Sequence, residues 1–208
     1  MDNVRIFFAK TGRAVYISHL DLYRVFQRAV RRAKLPIWET EGFNPHVYIT
    51  FALPLSLGTE GRRESLDTRL TEALSFDELC ARLGCALPEG IEILEAATPV
   101  FKNTDIARSE YEILHDADEA LLSSFFGQER IAAEKRTKRG VAEIDLKPSL
   151  EIKEREPGRL KLLLPSGTET NLNPNLVFDT FEKEFGTAIG RLRIARTAVY
   201  CKNGEIFR

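Results

Sequence analysis

Four side chains able to move protons or bind a ligand, His19, Asp21, Glu41 and His46, fall in one stretch, residues 11–52. Imidazole is the side chain whose ordinary pKa suits acid–base work near neutrality. With cations beside it, one imidazole can cleave RNA by activating the ribose 2′-hydroxyl, because the cations stabilise the charge that builds on phosphorus. Two imidazoles and two carboxylates could also hold a metal, if the fold brought them together. Histidines in such places more often cap helices or stiffen loops, so a structural role and no metal are expected. His19 would open a helix, whose N-terminal dipole disfavours the protonated ring. His46 follows Asn44-Pro45 in a loop leading to a strand, and His115 reads as a strand-end surface residue.

The same stretch carries Arg24, Arg28, Arg31 and Arg32. At about 100° per residue they lie within roughly a 100° arc of one helix. Guanidinium forks fit phosphate oxygens bidentately, and a row of them can follow a phosphate backbone. Asp21 is the only acid on that helix, so neutralisation by neighbours three or four residues away is sparse. A solvated face is the commonest fate of a charge run, yet a basic stripe is also a nucleic-acid footprint. A second group, Lys135, Arg136, Lys138 and Arg139, sits in a turn between strands and is flanked by Glu134 and Glu143. Arg193 and Arg196 extend the basic set, with Arg191 beside them.

To position these side chains the chain needs strands and helices in a definite order. Residues 4–17 read as a hairpin or a bent strand, with Thr11-Gly12 as its turn. Ser18 caps a helix reaching about Lys34, stopped by Pro36, and Asp21 stands three residues on as a capping-box partner. Leu22, Phe26, Ala29 and Ala33 follow helical spacing and should face a sheet. Strands are expected at 37–39, 47–51, 65–70 and 91–96, and a second helix at 76–83, capped by Ser75. The order β-α-β-β-α-β is the ferredoxin-like arrangement. After a polar linker, 99–108, the order recurs: strand 111–114, helix 116–126, a strand pair around the basic turn, a hairpin around Pro157-Gly158, helix 174–185 and strand 191–201. The expectation is an α+β chain of two ferredoxin-like βαββαβ halves in tandem, 1–98 and 109–208, as in a duplication. Residue identity between the halves is negligible, so that reading is topological.

Composition narrows the field. The chain has 208 residues, 43% hydrophobic and 29% charged, with a net charge of −1. A core is within reach without staples. Attraction to a polyanion must come from a local patch, because the whole chain is near neutral. Cys80, Cys85 and Cys201 lack disulfide or iron–sulfur spacing and are expected to be buried as small apolar residues. No glycine-rich phosphate loop and no nucleophile elbow occurs, and no apolar run is long enough to span a bilayer. These features predict a cytoplasmic protein with no cofactor and no membrane partner.

Three segments, ISHLDL (17–22), EGFNPH (41–46) and ALPLSLG (52–58), closely resemble the radical-SAM-linked family, a bacterial domain of unknown function. KRTKRG (135–140), Ile144-Asp145-Leu146 and RIARTAVY (193–200) are similar to its C-terminal signatures. One departure is Val47, where a second proline is common after the histidine; it implies a looser loop. The resemblance implies a radical SAM enzyme as partner, since such domains are fused to one or encoded beside one. It brings no accepted catalytic residues. The resulting expectation is an RNA-binding accessory module in RNA modification or processing, without catalytic activity of its own. The alternatives are a metal-independent nuclease using His19 or His46, with Asp21 and Glu41 in support, and a protein-docking module for the radical SAM partner.

Overall fold

The structure is a computed structural model and describes residues 2–137, 140–167 and 170–208. The chain is α+β and divides into two compact units, Met1–Asp105 with Ile206–Arg208, and Ile106–Glu205.

In the first unit, β1 (Asp2–Lys10) is the most deeply buried element, covered from Val4 to its end. Val4, Ile6 and Phe8 pack with Leu22, Phe26 and Ala29 of α1 (His19–Arg32) and Leu79 and Leu83 of α2 (Phe76–Ala86). Between the helices run β2 (Thr50–Phe51) and β3 (Glu60–Leu70), and β4 (Ile91–Ala97) ends the unit's strands. The strand order is β4-β1-β3-β2, with every neighbour antiparallel. On the opposite face of β1, Arg5 is 1% exposed. It donates to both Asp67 oxygens at 2.7 and 2.9 Å and stacks on Phe207 at 3.9 Å, so the C-terminal residues 206–208 close that face.

Two local expectations for this unit change. Residues 4–17 form no hairpin: β1 ends at Lys10 and a 3₁₀ turn, Gly12–Tyr16, follows. Ala14 and Val15 are buried by that turn, whereas a returning strand would spread them along the sheet. The segments 37–39 and 47–51 contribute only single bridges, Ile37 to Leu70 and Glu39 to Val47, besides the two residues of β2. The chain there pairs with itself: Tyr48 N–H donates to the Trp38 carbonyl at 3.0 Å and Thr40 N–H to that of His46 at 2.8 Å. Segment 37–49 is thus a narrow ribbon with loop 41–45 at its tip.

The second unit follows a similar course. β5 (Ile106–His115), α3 (Glu119–Gly127), β8 (Glu151–Glu156), β9 (Arg159–Pro165), α4 (Pro174–Phe185) and β10 (Leu192–Cys201) enclose a core of Ile113, Leu160, Leu162, Phe125, Phe178 and Phe181. The sheet order is β10-β5-β9-β8, again antiparallel throughout. Between α3 and β8 a separate two-stranded ribbon is inserted, β6 (Ala132–Thr137) and β7 (Gly140–Asp145). Asp118 and Asn173 cap α3 and α4, and Gly186, at φ 63°, ends α4 in the left-handed conformation.

His115 is buried at 2% exposure, with Nδ1 lacking a protein partner, and is no surface residue. At that end of β5 Leu114 takes the exposed face and His115 the inner one. Of the cysteines only Cys201 is buried; Cys85 is exposed, because it lies on the outer side of α2.

Candidate functional site

The start of α1 is built by its own cap. Ser18 accepts from the Asp21 N–H at 3.1 Å, and its hydroxyl donates to the Asp21 carboxylate at 2.7 Å. Arg24 adds a 2.9 Å contact to the same carboxylate. The Ser18 hydrogen bond, then Arg24, hold the Asp21 carboxyl below its ordinary value. Asp21 is therefore an ionised capping residue, poorly suited to proton exchange near neutrality.

Beneath the cap lies a residue that sequence reasoning passed over. Lys10 is 1% exposed at the end of β1. Its ammonium donates to the carbonyls of Val15, at 3.3 Å, and Ile17, at 2.8 Å. Those carbonyls belong to the turn that leads into His19. Burial lowers the Lys10 pKa, and the charge of buried Glu64 opposes that shift. Gly61, opposite Lys10 in the β1–β3 register, must lack a side chain: a Cβ there would lie 2.4 Å from Glu64 Cγ. The loop 52–59 joins the same turn through the Gly58 N–H to Val15 carbonyl bond of 3.0 Å. The one sequence signal for all this is a lysine closing an apolar strand, FFAK.

His19 keeps an exposed edge and packs its ring on Phe51 at 5.1 Å. That packing, followed by the Lys10 charge, lowers its pKa, so the ring is neutral at pH 7. His46 is committed elsewhere. Its N–H donates to Thr40 Oγ1 at 3.2 Å, and its Nδ1 stands 2.9 Å from that oxygen and 3.2 Å from the Asn44 carbonyl. These contacts close loop 41–45, and Val47, which follows it, is 1% exposed. No hydrogen bond joins His19, Asp21, Glu41 and His46 to one another among the described residues. Among them there is also no group of three or more metal-binding side chains.

The arginine row is on the surface as its spacing predicts: Arg24, Arg28, Arg31 and Arg32 are all exposed. Arg24 pairs with Asp21, and Arg31 with Glu39 at 3.3 Å, both pairs open to solvent. Pairs so exposed are weak and exchange readily with other anions. Arg28 and Arg32, one helical turn apart, have no ion pair among the described residues. The helix ends where Lys34 takes φ 49°, and Arg82 of α2 donates to the Ala33 carbonyl at 2.8 and 3.2 Å.

The other cations divide. Lys135 donates to the Asn171 carbonyl at 2.8 Å. The Arg136 side chain, Lys138 and Arg139 lie outside the described residues. Arg193 is exposed on β10, whereas Arg196 is 4% exposed and presents no surface to a polyanion. Arg193 and Arg196 lie three apart on a strand of period two, so they fall on opposite faces.

No described helix is long and apolar enough to cross a membrane. No curated protein matches this chain. A family model described as "Uncharacterized protein conserved in bacteria (DUF2344)" matches residues 3–174, which is most of the chain, and the protein belongs to that family.

Proposed function

We propose that this chain is an RNA-binding accessory module serving a radical SAM enzyme. The observation that carries the RNA reading is the exposed pair Arg28 and Arg32, without an ion pair among the described residues and flanked by two more exposed arginines. Like charges so close repel, and an external anion relieves the repulsion. With a net charge of −1 on the whole chain, attraction to a polyanion has to come from a local patch such as this one. The radical SAM partner rests on the resemblance of segments 17–22, 41–46 and 52–58. We also read each unit as a ferredoxin-like module, from the shared last-first-third-second strand order, with the β6–β7 ribbon as an insertion in the second.

Fluorescence polarisation with labelled tRNA and rRNA fragments tests the RNA reading. Binding should weaken steeply with salt, since each neutralised phosphate releases counterions. A signal indifferent to salt rules it out.

One observation favours a second reading, a nuclease. His19 is a neutral imidazole with a solvent-facing edge, the form that accepts a proton. His46, held by Thr40 and Asn44, is the poorer candidate. In this reading His19→Ala abolishes cleavage of a labelled RNA while affinity persists; unchanged cleavage, or none by the wild-type protein, excludes it.

A further inference from the structure

The tip of the 37–49 ribbon bears a phenylalanine with no cover at all. Phe43 has 106% of its reference surface exposed. A bare phenyl ring in water has nothing in the folded chain to stabilise it. The ribbon that carries it is nevertheless heavily braced. Trp38 and Tyr48 pack at 5.4 Å across its base with their rings tilted by 59°, and the Arg69 guanidinium lies over both rings, at 5.5 and 5.1 Å. Thr40 and His46 lock the neck of the loop. Gly42, at φ 125°, adopts a conformation that L side chains rarely take, and so sets the turn just before Phe43. The chain holds this ring out at the tip of a ribbon braced at its base and neck.

The base of the arm lies beside the arginine row. Glu39, at its base, pairs with Arg31 at 3.3 Å. From Glu39 to Phe43 an extended chain reaches at most roughly 14 Å. A single polyanionic strand can therefore touch the α1 arginines and the ring together.

We infer that Phe43 is a stacking platform for an unpaired nucleobase, and hence that the RNA bound by this face is single-stranded or looped. This rests on the RNA-binding reading above and adds the class of RNA. Every base has a π-face, so a free aromatic ring beside a phosphate-binding row takes unstacked bases without reading sequence. A base inside a duplex is already stacked on its neighbours and is not available to the ring. An apolar pocket in a protein would need no arginine row beside the ring; a polyanion does.

The test uses the full chain, a short RNA carrying 2-aminopurine, and the same RNA annealed to its complement. The wild-type protein should bind the single strand more tightly than the duplex and quench 2-aminopurine fluorescence as the base stacks. Phe43→Ala should lose the quenching and about tenfold in single-strand affinity, with the salt dependence unchanged. Phe43→Trp should restore both, which separates stacking from any damage to the loop. If Phe43→Ala quenches and binds like the wild type while Arg28→Gln/Arg32→Gln loses affinity, the stacking role is wrong and the RNA reading stands. If the wild-type protein binds neither RNA, both fail. Self-association that is lost in Phe43→Ala, without quenching, gives the ring to a second copy of the chain and overturns the inference.

Discussion

Helix α1 and the β8–β9 hairpin each display four cations, and they dispose of them in opposite ways. On the hairpin, Lys153 pairs with Glu151, Arg155 with Glu119, Arg159 with Glu112, and Lys161 with Glu154. On α1, among the described residues, only Arg24 and Arg31 form ion pairs, both in the open. The cause is partly local spacing and partly tertiary pairing, since Arg155 and Arg159 meet Glu119 of α3 and Glu112 of β5. The hairpin sequence EIKERE mixes acids with bases, and cross-strand neighbours such as Glu154 and Lys161 meet directly. Helix α1 contains one acid, and its capping bonds already use it. Equal counts of positive charge thus yield a hairpin whose four cations are all paired in one unit and, among the described residues, a helix face with two of four paired in the other.

The largest test of this contrast is to break a buried charge and compare it with an exposed one. Lys10→Ala removes the charge facing buried Glu64 and takes the ammonium donor from the Ile17 carbonyl, while the Val15 carbonyl keeps the Gly58 N–H. It should cost about 1–3 kcal/mol in urea unfolding. Arg191→Ala, which removes the open pair with Asp116, should be indistinguishable from wild type in the same melts. If Lys10→Ala is equally silent, the Lys10 cluster does not hold the turn.

Next comes the binding contrast. Arg28→Gln/Arg32→Gln should weaken RNA binding about tenfold or more and flatten its salt slope by roughly 1.4, for two single-strand phosphates. Lys153→Gln/Lys161→Gln removes the same charge from the hairpin and should change affinity less than about twofold, because those cations already have partners. Equal losses in the two proteins would show that bulk charge, not the α1 face, attracts RNA.

A smaller effect probes the cap that sets the row. Ser18→Ala should cost about 1 kcal/mol of stability, read from the shift in urea midpoint.

The smallest expected effect separates the two units by pH. Burial holds the His115 pKa below its ordinary value; Glu119 and Asp116 oppose that shift, and Arg155 reinforces it. The unfolded chain then binds a proton that the folded chain refuses. Stability from this residue is complete above about pH 6.5 and is lost as pH falls from there through the depressed value. Urea midpoints from about pH 7 down to about pH 5 should decline, and His115→Gln should reduce the slope. His19, on its exposed edge, should contribute less to that slope. An identical slope in His115→Gln would remove the buried histidine as its source.

Much was legible because it depends on neighbours a few residues away. The α1 cap follows from Ser18 and Asp21, the apolar stripe from Leu22, Phe26 and Ala29, and the outward arginines from the complementary arc. The left-handed stop at Gly186 is equally local. What misled was also local. Residues 12–16 alternate well enough for a strand, but Lys10 gathers their carbonyls into a 3₁₀ turn. His19 and His46 are close in sequence, yet one packs on Phe51 and the other closes its own loop.

The amino-acid sequence by itself determined the helices, their caps, the α+β character and the exposure of the α1 arginines, since 3.6-residue periodicity and capping bonds act over one turn. Only the tertiary structure decided that Lys10 is buried, that Arg196 points inward, that the hairpin cations are all answered and that Phe43 is bare. Each of those outcomes depends on which distant backbone or side chain arrives alongside, and no count of residue types along the chain contains that information.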